Sequence, residues 1–239
     1  MDPVEYRRGE TVFRGWLADD PARLAPRPAV LLIHEAWGLG EYVKHRAERL
    51  AEIGYVAFAA DMFGEGRQAA STEEGLGWTK ALRADVREMR ARVRLAFDVL
   101  AARPEVDSSR IAGIGYCFGG SSVLELARSG APVRGVVSFH GNLTTTDPAR
   151  RGVVRAKVLS LSGADDPFIP LEQVNGFIAE MKAAEVDYQV VLYGGARHSF
   201  TDPRSGERGL DGLAYHRLAD ERSWSAMHAF FAEIFEPAP

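Results

Sequence analysis

One cysteine, one histidine and a pair of aspartates follow each other in an order suited to covalent catalysis. Cys117 sits in Gly115-Tyr116-Cys117-Phe118-Gly119-Gly120, directly after the apolar run Ile111 to Gly115. Strand, then Gly-x-Cys-x-Gly, then helix is the nucleophile-elbow pattern, here with sulfur in place of oxygen. Gly115 and Gly119 have a steric reason to be there: side chains two residues either side of a tight turn would collide with the crossing strand and helix. A cysteine at a helix N-terminus is favoured as thiolate, the reactive form. Its alternative, as the only cysteine of the chain, is a small buried hydrophobe, but every part of the surrounding pattern matches the elbow.

An elbow calls for an acid and then a histidine further along the chain. The run Lys157 to Leu161 leads into Ser162-Gly163-Ala164-Asp165-Asp166-Pro167-Phe168, and the run Tyr188 to Tyr193 leads into Gly194-Gly195-Ala196-Arg197-His198. His198 is the expected base, with a carboxylate fixing its tautomer. Asp166 is preferred for that task, and Asp165 for capping the turn. His34 and His140 also follow strands, but neither comes after the acid.

These side chains need a frame that brings distant segments to one edge. Thr11–Ala18 alternates and reads as an early antiparallel strand at a sheet edge. Ala29–Ile33 and Tyr55–Ala60 read as buried strands, and Ile111–Gly115, Val133–Phe139, Lys157–Leu161 and Tyr188–Tyr193 as further strands. Helices are expected at about Val43–Ile53, Asp85–Leu100, Gly120–Arg128, Leu171–Ala184 and Asp220–Phe235, and 63–77 reads as a loop. Tyr215 and His216 are expected to pack against the last helix. The alternation predicts an α/β chain of one domain, 1–239, with a mostly parallel sheet of about seven or eight strands and helices on both faces. Reactive groups then belong beyond the carboxyl ends of the strands.

Composition narrows the partners. With 239 residues, 46% of them hydrophobic and 26% charged, and a net charge of −4, the chain has the makings of a large core. Its basic residues are scattered, which argues against nucleic acid. The polar start is not that of a signal peptide, and no apolar stretch approaches a bilayer span, so a cytoplasmic setting that keeps one thiol reduced is expected. Gly38-Leu39-Gly40 lacks the spacing of a phosphate loop and no residue cluster has metal-ligand spacing, so neither cofactor nor metal is expected. Trp37, Phe63 and Trp78 are candidates for an apolar acyl pocket, or equally core plugs.

The sequence resembles the dienelactone hydrolase family of α/β-hydrolases over nearly its whole length. The likeness rests on His34-Glu35-Ala36-Trp37-Gly38, the Cys117 elbow, Asp166-Pro167-Phe168-Ile169-Pro170 and His198-Ser199-Phe200. It implies a Cys117–His198–Asp166 triad acting on a small ester or lactone in a monomer or homodimer. It also implies an oxyanion hole from the N–H groups of Ala36 and Phe118. Glu35 would contact the resting thiol and hold it protonated until substrate displaces the glutamate. One departure concerns the substrate. Members that hydrolyse dienelactone hold its carboxylate with an arginine four residues past the histidine, where this chain has Asp202. Arg204 or Arg208, or Arg67 or Arg83 from further upstream, are the candidates to replace it, with Trp37 beside them. A general carboxylesterase, or a non-catalytic, thiol-sensing member of the fold, are the alternatives.

Overall fold

The computed structural model describes residues 2–24 and 26–235. The strands are β1 (Asp2–Arg8), β2 (Thr11–Ala18), β3 (Arg27–Ile33), β4 (Val56–Ala60), β5 (Val106–Tyr116), β6 (Gly135–Phe139), β7 (Lys157–Gly163) and β8 (Tyr188–Tyr193). The helices are α1 (Glu41–Glu52), α2 (Thr72–Ala84), α3 (Val86–Ala101), α4 (Phe118–Arg128), α5 (Leu171–Ala183) and α6 (Arg217–Phe235), with a 3-10 turn at Ser205–Arg208. All eight strands form one sheet in the order β1-β2-β4-β3-β5-β6-β7-β8. From β4 to β8 every pairing is parallel, while β1 and β2 are antiparallel.

The pleat divides each buried strand between two cores. Ala29, Leu31 and Ile33 of β3 face one apolar cluster with Met89, Val93, Val123 and Phe177 from α3, α4 and α5. Val30 and Leu32 face the other, with Val43, Leu50, Met227 and Phe231 from α1 and α6. Residues buried on both faces explain why these strands read as continuous apolar runs rather than alternating ones. This is the α/β-hydrolase architecture.

Two expectations need correction. Thr11–Ala18 is not at the sheet edge, because β1 pairs outside it along seven residues, from Asp2↔Leu17 to Arg8↔Thr11. The polar start conceals a strand whose inward residue Tyr6 is buried and donates its hydroxyl to Asp61 O (2.8 Å). Nor is 63–77 wholly a loop, since α2 begins at Thr72. Ser71 Oγ accepts from Glu74 N–H (3.1 Å), and Glu74 Oε2 accepts from Ala70 N–H (2.8 Å). That is a Ser-x-x-Glu start signal of the capping-box kind, outweighed in the sequence by Gly75 and Gly77.

Candidate active site

The elbow is set by strain and close packing. Cys117 links β5 to α4 with φ 53° and ψ −111°, a conformation disfavoured for a residue with a side chain. A Cβ on Gly115 would lie 2.0 Å from Gly119 O, and one on Gly119 would lie 2.1 Å from Ile33 O. Both positions therefore admit only glycine, and the half-buried Cys117 stands at the N-terminus of α4.

The base and the acid arrive from β8 and β7. His198 is pinned through its backbone, which donates to Gly212 O (3.2 Å) and accepts from Ala214 N–H (3.1 Å). Its Nε2 lies 3.1 Å from Cys117 Sγ and its Nδ1 2.7 Å from Asp166 Oδ2. The other oxygen of Asp166 accepts from Phe168 N–H (2.8 Å) and Ile169 N–H (3.2 Å). Asp166 thus caps the turn and meets the histidine at once. Asp165, expected to cap, is exposed and contributes its backbone N–H to Ala196 O (3.0 Å). Burial works to lower the His198 pKa. The thiolate charge of Cys117, the bonds to Asp166 and Cys117 and the Asp166 charge outweigh it and raise it to about 10.

Glu35, just beyond β3, is buried, and the hydrogen bonds among the described residues join it to Ser199 rather than to the thiol. Its Oε1 accepts from Ser199 Oγ (2.9 Å), while the sulfur faces His198. Ser199, at φ 52°, is turned to supply the hydrogen bond that a buried carboxyl requires. Burial and then the charge of Asp202 push the Glu35 pKa up to about 7, against the Ser199 bond and the positive charges of His198 and Arg208.

A second histidine belongs to the site. His140, at the end of β6, is buried and accepts from Cys117 N–H through Nδ1 (3.1 Å). Its Nε2 meets Thr201 Oγ1 (2.8 Å), and its ring lies 5.3 Å from that of His198. Neither His140 nor Ser199 carries a sequence signal for these contacts beyond standing next to a strand end or a site residue.

A cavity of about 320 Å³ opens over Cys117, walled largely by apolar side chains. Ala36, Phe118 and Trp37 line it beside the sulfur, and Phe168 from the Asp166 loop packs edge-on to His198. Leu76 of α2 with Leu210 and Leu213 form a roof. Thr72 Oγ1 ties the two roof segments together by donating to Arg208 O (2.8 Å). Phe63 and Trp78 are instead packed on each other, Phe63 also stacking on Phe118.

Of the candidate arginines, only Arg83 reaches this cavity, where it donates to Asn142 Oδ1 (2.5 Å) and Thr144 Oγ1 (3.0 Å). Arg67 is placed elsewhere: its guanidinium is held by the carbonyls of Phe63 and Gly64 and lies over Trp78. Arg204 lies outside the Cys117 cavity as well. With Arg208 it lines a separate cavity of about 260 Å³ on the far side of Trp37, and Arg208 lies over the Trp37 ring (4.8 Å). Asp202 is buried behind Glu35, its Oδ1 accepting from Arg204 N–H (2.9 Å). Tyr215 is exposed, and His216 caps α6 by accepting from Ala219 N–H (3.2 Å). Among the described residues no cluster of three or more acidic, His or Cys side chains is arranged to hold a metal ion, and no helix is long and apolar enough to cross a membrane.

Comparison with known proteins agrees with this architecture. Residues 13–235 match the Dienelactone hydrolase family. A solved structure of a dienelactone hydrolase-like promiscuous phosphotriesterase from metagenomic libraries is 41% identical, with a TM-score of 0.93 and 98% of each chain covered. A protein of Salmonella typhimurium named "Putative carboxymethylenebutenolidase" is 27% identical over 86% of this chain and 77% of its own. The fold is shared more widely: an esterase of Thermogutta terrifontis superposes with a TM-score of 0.63 at 17% identity, over 100% of this chain and 94% of that one.

Proposed function

The chain belongs to the dienelactone hydrolase family, and from that membership we propose that it hydrolyses small carboxylic esters or lactones through a thioester on Cys117. The observation that carries this reading is the unbroken hydrogen-bonded line from Cys117 Sγ through His198 to Asp166. The thiolate attacks the carbonyl carbon, and the N–H groups of Ala36 and Phe118 receive the oxyanion. His198, protonated in the ion pair, gives its Nε2 proton to the departing alkoxide as the C–O bond breaks. The neutral imidazole then takes a proton from water, whose hydroxide attacks the thioester and expels the thiolate. The acid product leaves and the ion pair is restored. Asp166 keeps the Nδ1 proton in place throughout.

Glu35 serves as the guard of the resting thiol in this reading. A buried carboxyl with a pKa of about 7 exchanges its proton near neutrality. Released from Ser199, it can hold Cys117 protonated, and a protonated thiol oxidises far less readily than a thiolate. The apolar walls of the cavity favour an uncharged acyl or alcohol group. Phosphotriester hydrolysis is a second reading, favoured by the 41% identical relative of that activity.

Mass spectrometry of the protein after exposure to a panel of lactones, activated esters and phosphotriesters tests all of this together. An acyl adduct on Cys117, absent in Cys117→Ala along with turnover, is the expected result. Full turnover in Cys117→Ala would overturn the assignment. Sulfenic acid on Cys117 without ester turnover would identify an oxidant sensor instead.

A further inference from the structure

Three non-glycine residues with positive φ converge on the site: Cys117 (53°), His140 (41°) and Ser199 (52°). Each follows a different strand, so the distance between sulfur and imidazole depends on two strained loops that, among the described residues, share no backbone hydrogen bond. Besides the His198–Cys117 contact itself, the side chain of His140 spans them. On one side its Nδ1 accepts from Cys117 N–H (3.1 Å), a donor shared with Phe139 O (3.0 Å). On the other its Nε2 meets Thr201 Oγ1 (2.8 Å), three residues beyond His198.

The tautomer follows from the partners. A backbone N–H can only donate, so Nδ1 must present a lone pair, and the single ring proton sits on Nε2 and is donated to Thr201. The ring must therefore stay neutral, and its surroundings enforce that. Burial first, then the positive charges of His198 and Arg46, hold its pKa well below the usual histidine value. The anchoring extends further. Tyr42 OH meets Thr201 Oγ1 (2.6 Å), and Arg46 donates to Thr201 O (2.7 Å) while paired to Asp220 (2.7 Å). The base loop is thereby fastened to α1 and α6, and His140 fastens the elbow to the base loop.

We propose that His140 is a positioning residue, a neutral imidazole that sets the Cys117–His198 geometry by clamping the nucleophile's N–H to the loop carrying the base. The proposal rests on the reading of Cys117 and His198 as nucleophile and base. Its mode of action separates the two ring nitrogens. Asn at 140 keeps an acceptor near the Nδ1 position and tolerates positive φ, but does not reach Thr201. Gln reaches toward Thr201 with a donor but loses the acceptor at Cys117. Phe fills the space and keeps neither.

The test measures ester kcat and KM, and the pH profile of Cys117 alkylation by iodoacetamide, for the wild type and for His140→Phe, His140→Asn and His140→Gln. Each rate is normalised to folded protein. His140→Phe is expected to lower kcat about 10- to 100-fold with little change in KM, the scale on which small misplacements of reacting groups act. The alkylation midpoint should move upward as the ion pair loosens, and His140→Asn should recover more of both than His140→Gln. Variants that differ only in melting temperature, with kcat and alkylation profile unchanged, would reduce His140 to a structural residue and overturn the proposal. If His140→Phe does not fold, the Asn–Gln contrast decides, equal behaviour overturning it. Alkylation needs no turnover, so a wild type that cleaves no ester refutes the hydrolase reading while the clamp is still tested on the thiol.

Discussion

Two loops at the carboxyl edge of the sheet each offer a buried carboxylate to the site, and they treat it in opposite ways. After β7, Asp166 accepts two backbone N–H groups and the Nδ1 of His198, so its charge is matched on both oxygens. After β3, Glu35 has one hydroxyl, from Ser199, and a second buried acid, Asp202, for company. Chemistry that is identical in the side chains is thus divided by environment. Asp166 is hydrogen-bonded through both oxygens, and Glu35 has the surroundings of an acid that changes state near neutral pH.

The largest effect should come from breaking the Asp166 side. In Asp166→Asn the turn keeps its acceptor, but an amide N–H facing Nδ1 selects the wrong imidazole tautomer. We expect kcat to fall about 10²- to 10⁴-fold with the fold retained, read by steady-state kinetics beside circular dichroism. A fall of less than about threefold would mean that the thiol needs no oriented base.

The Glu35 side should speak through stability instead. A carboxyl whose pKa rises on folding, here from 4.5 to about 7, contributes stability that is complete below pH 4.5 and is lost as pH rises through 7. Glu35→Gln should remove that slope, so that denaturant unfolding at pH 8 shows the variant gaining about 1–3 kcal/mol relative to its standing at pH 4. Parallel curves for the two proteins would erase the contrast between the loops. The smallest change sharpens it. Because the Ser199 bond favours the charged form of Glu35, Ser199→Ala should cost about 1 kcal/mol and move the midpoint of the wild-type slope to higher pH.

The Asp166 side was legible in the sequence and the Glu35 side was not. The Cys117 elbow, Asp166 and His198 lie in fixed order at strand ends, and local chain geometry is enough to place them. What Glu35 touches depends on Ser199 being turned by a positive φ, which no spacing reveals. His140 precedes the acid in the chain. Order does indeed exclude it as the base, but it says nothing of a ring brought against Cys117 N–H by the pairing of β6 with β5. Apolar runs mark the doubly buried strands, whereas the half-polar β1, with Tyr6 alone turned inward, leaves no such run. The glycines that hid α2 hide a cavity wall as well, because Gly75 is what lets that helix approach Ala36 O.

The roof of the cavity is made of α2 and the segment around Ser205–Leu213, stitched to each other through Thr72 and Arg208. The floor is the elbow, and behind it α4 is buried along its whole length. Leu76 and Leu210 therefore wall the cavity from stretches of chain other than those that carry Cys117, Asp166 and His198. A directed-evolution library for new substrates belongs at Leu76 and Leu210, and should leave Leu213 alone, because its neighbours Gly212 and Ala214 hold the backbone of His198. For an enzyme engineer, this scaffold is a tool with an interchangeable bit.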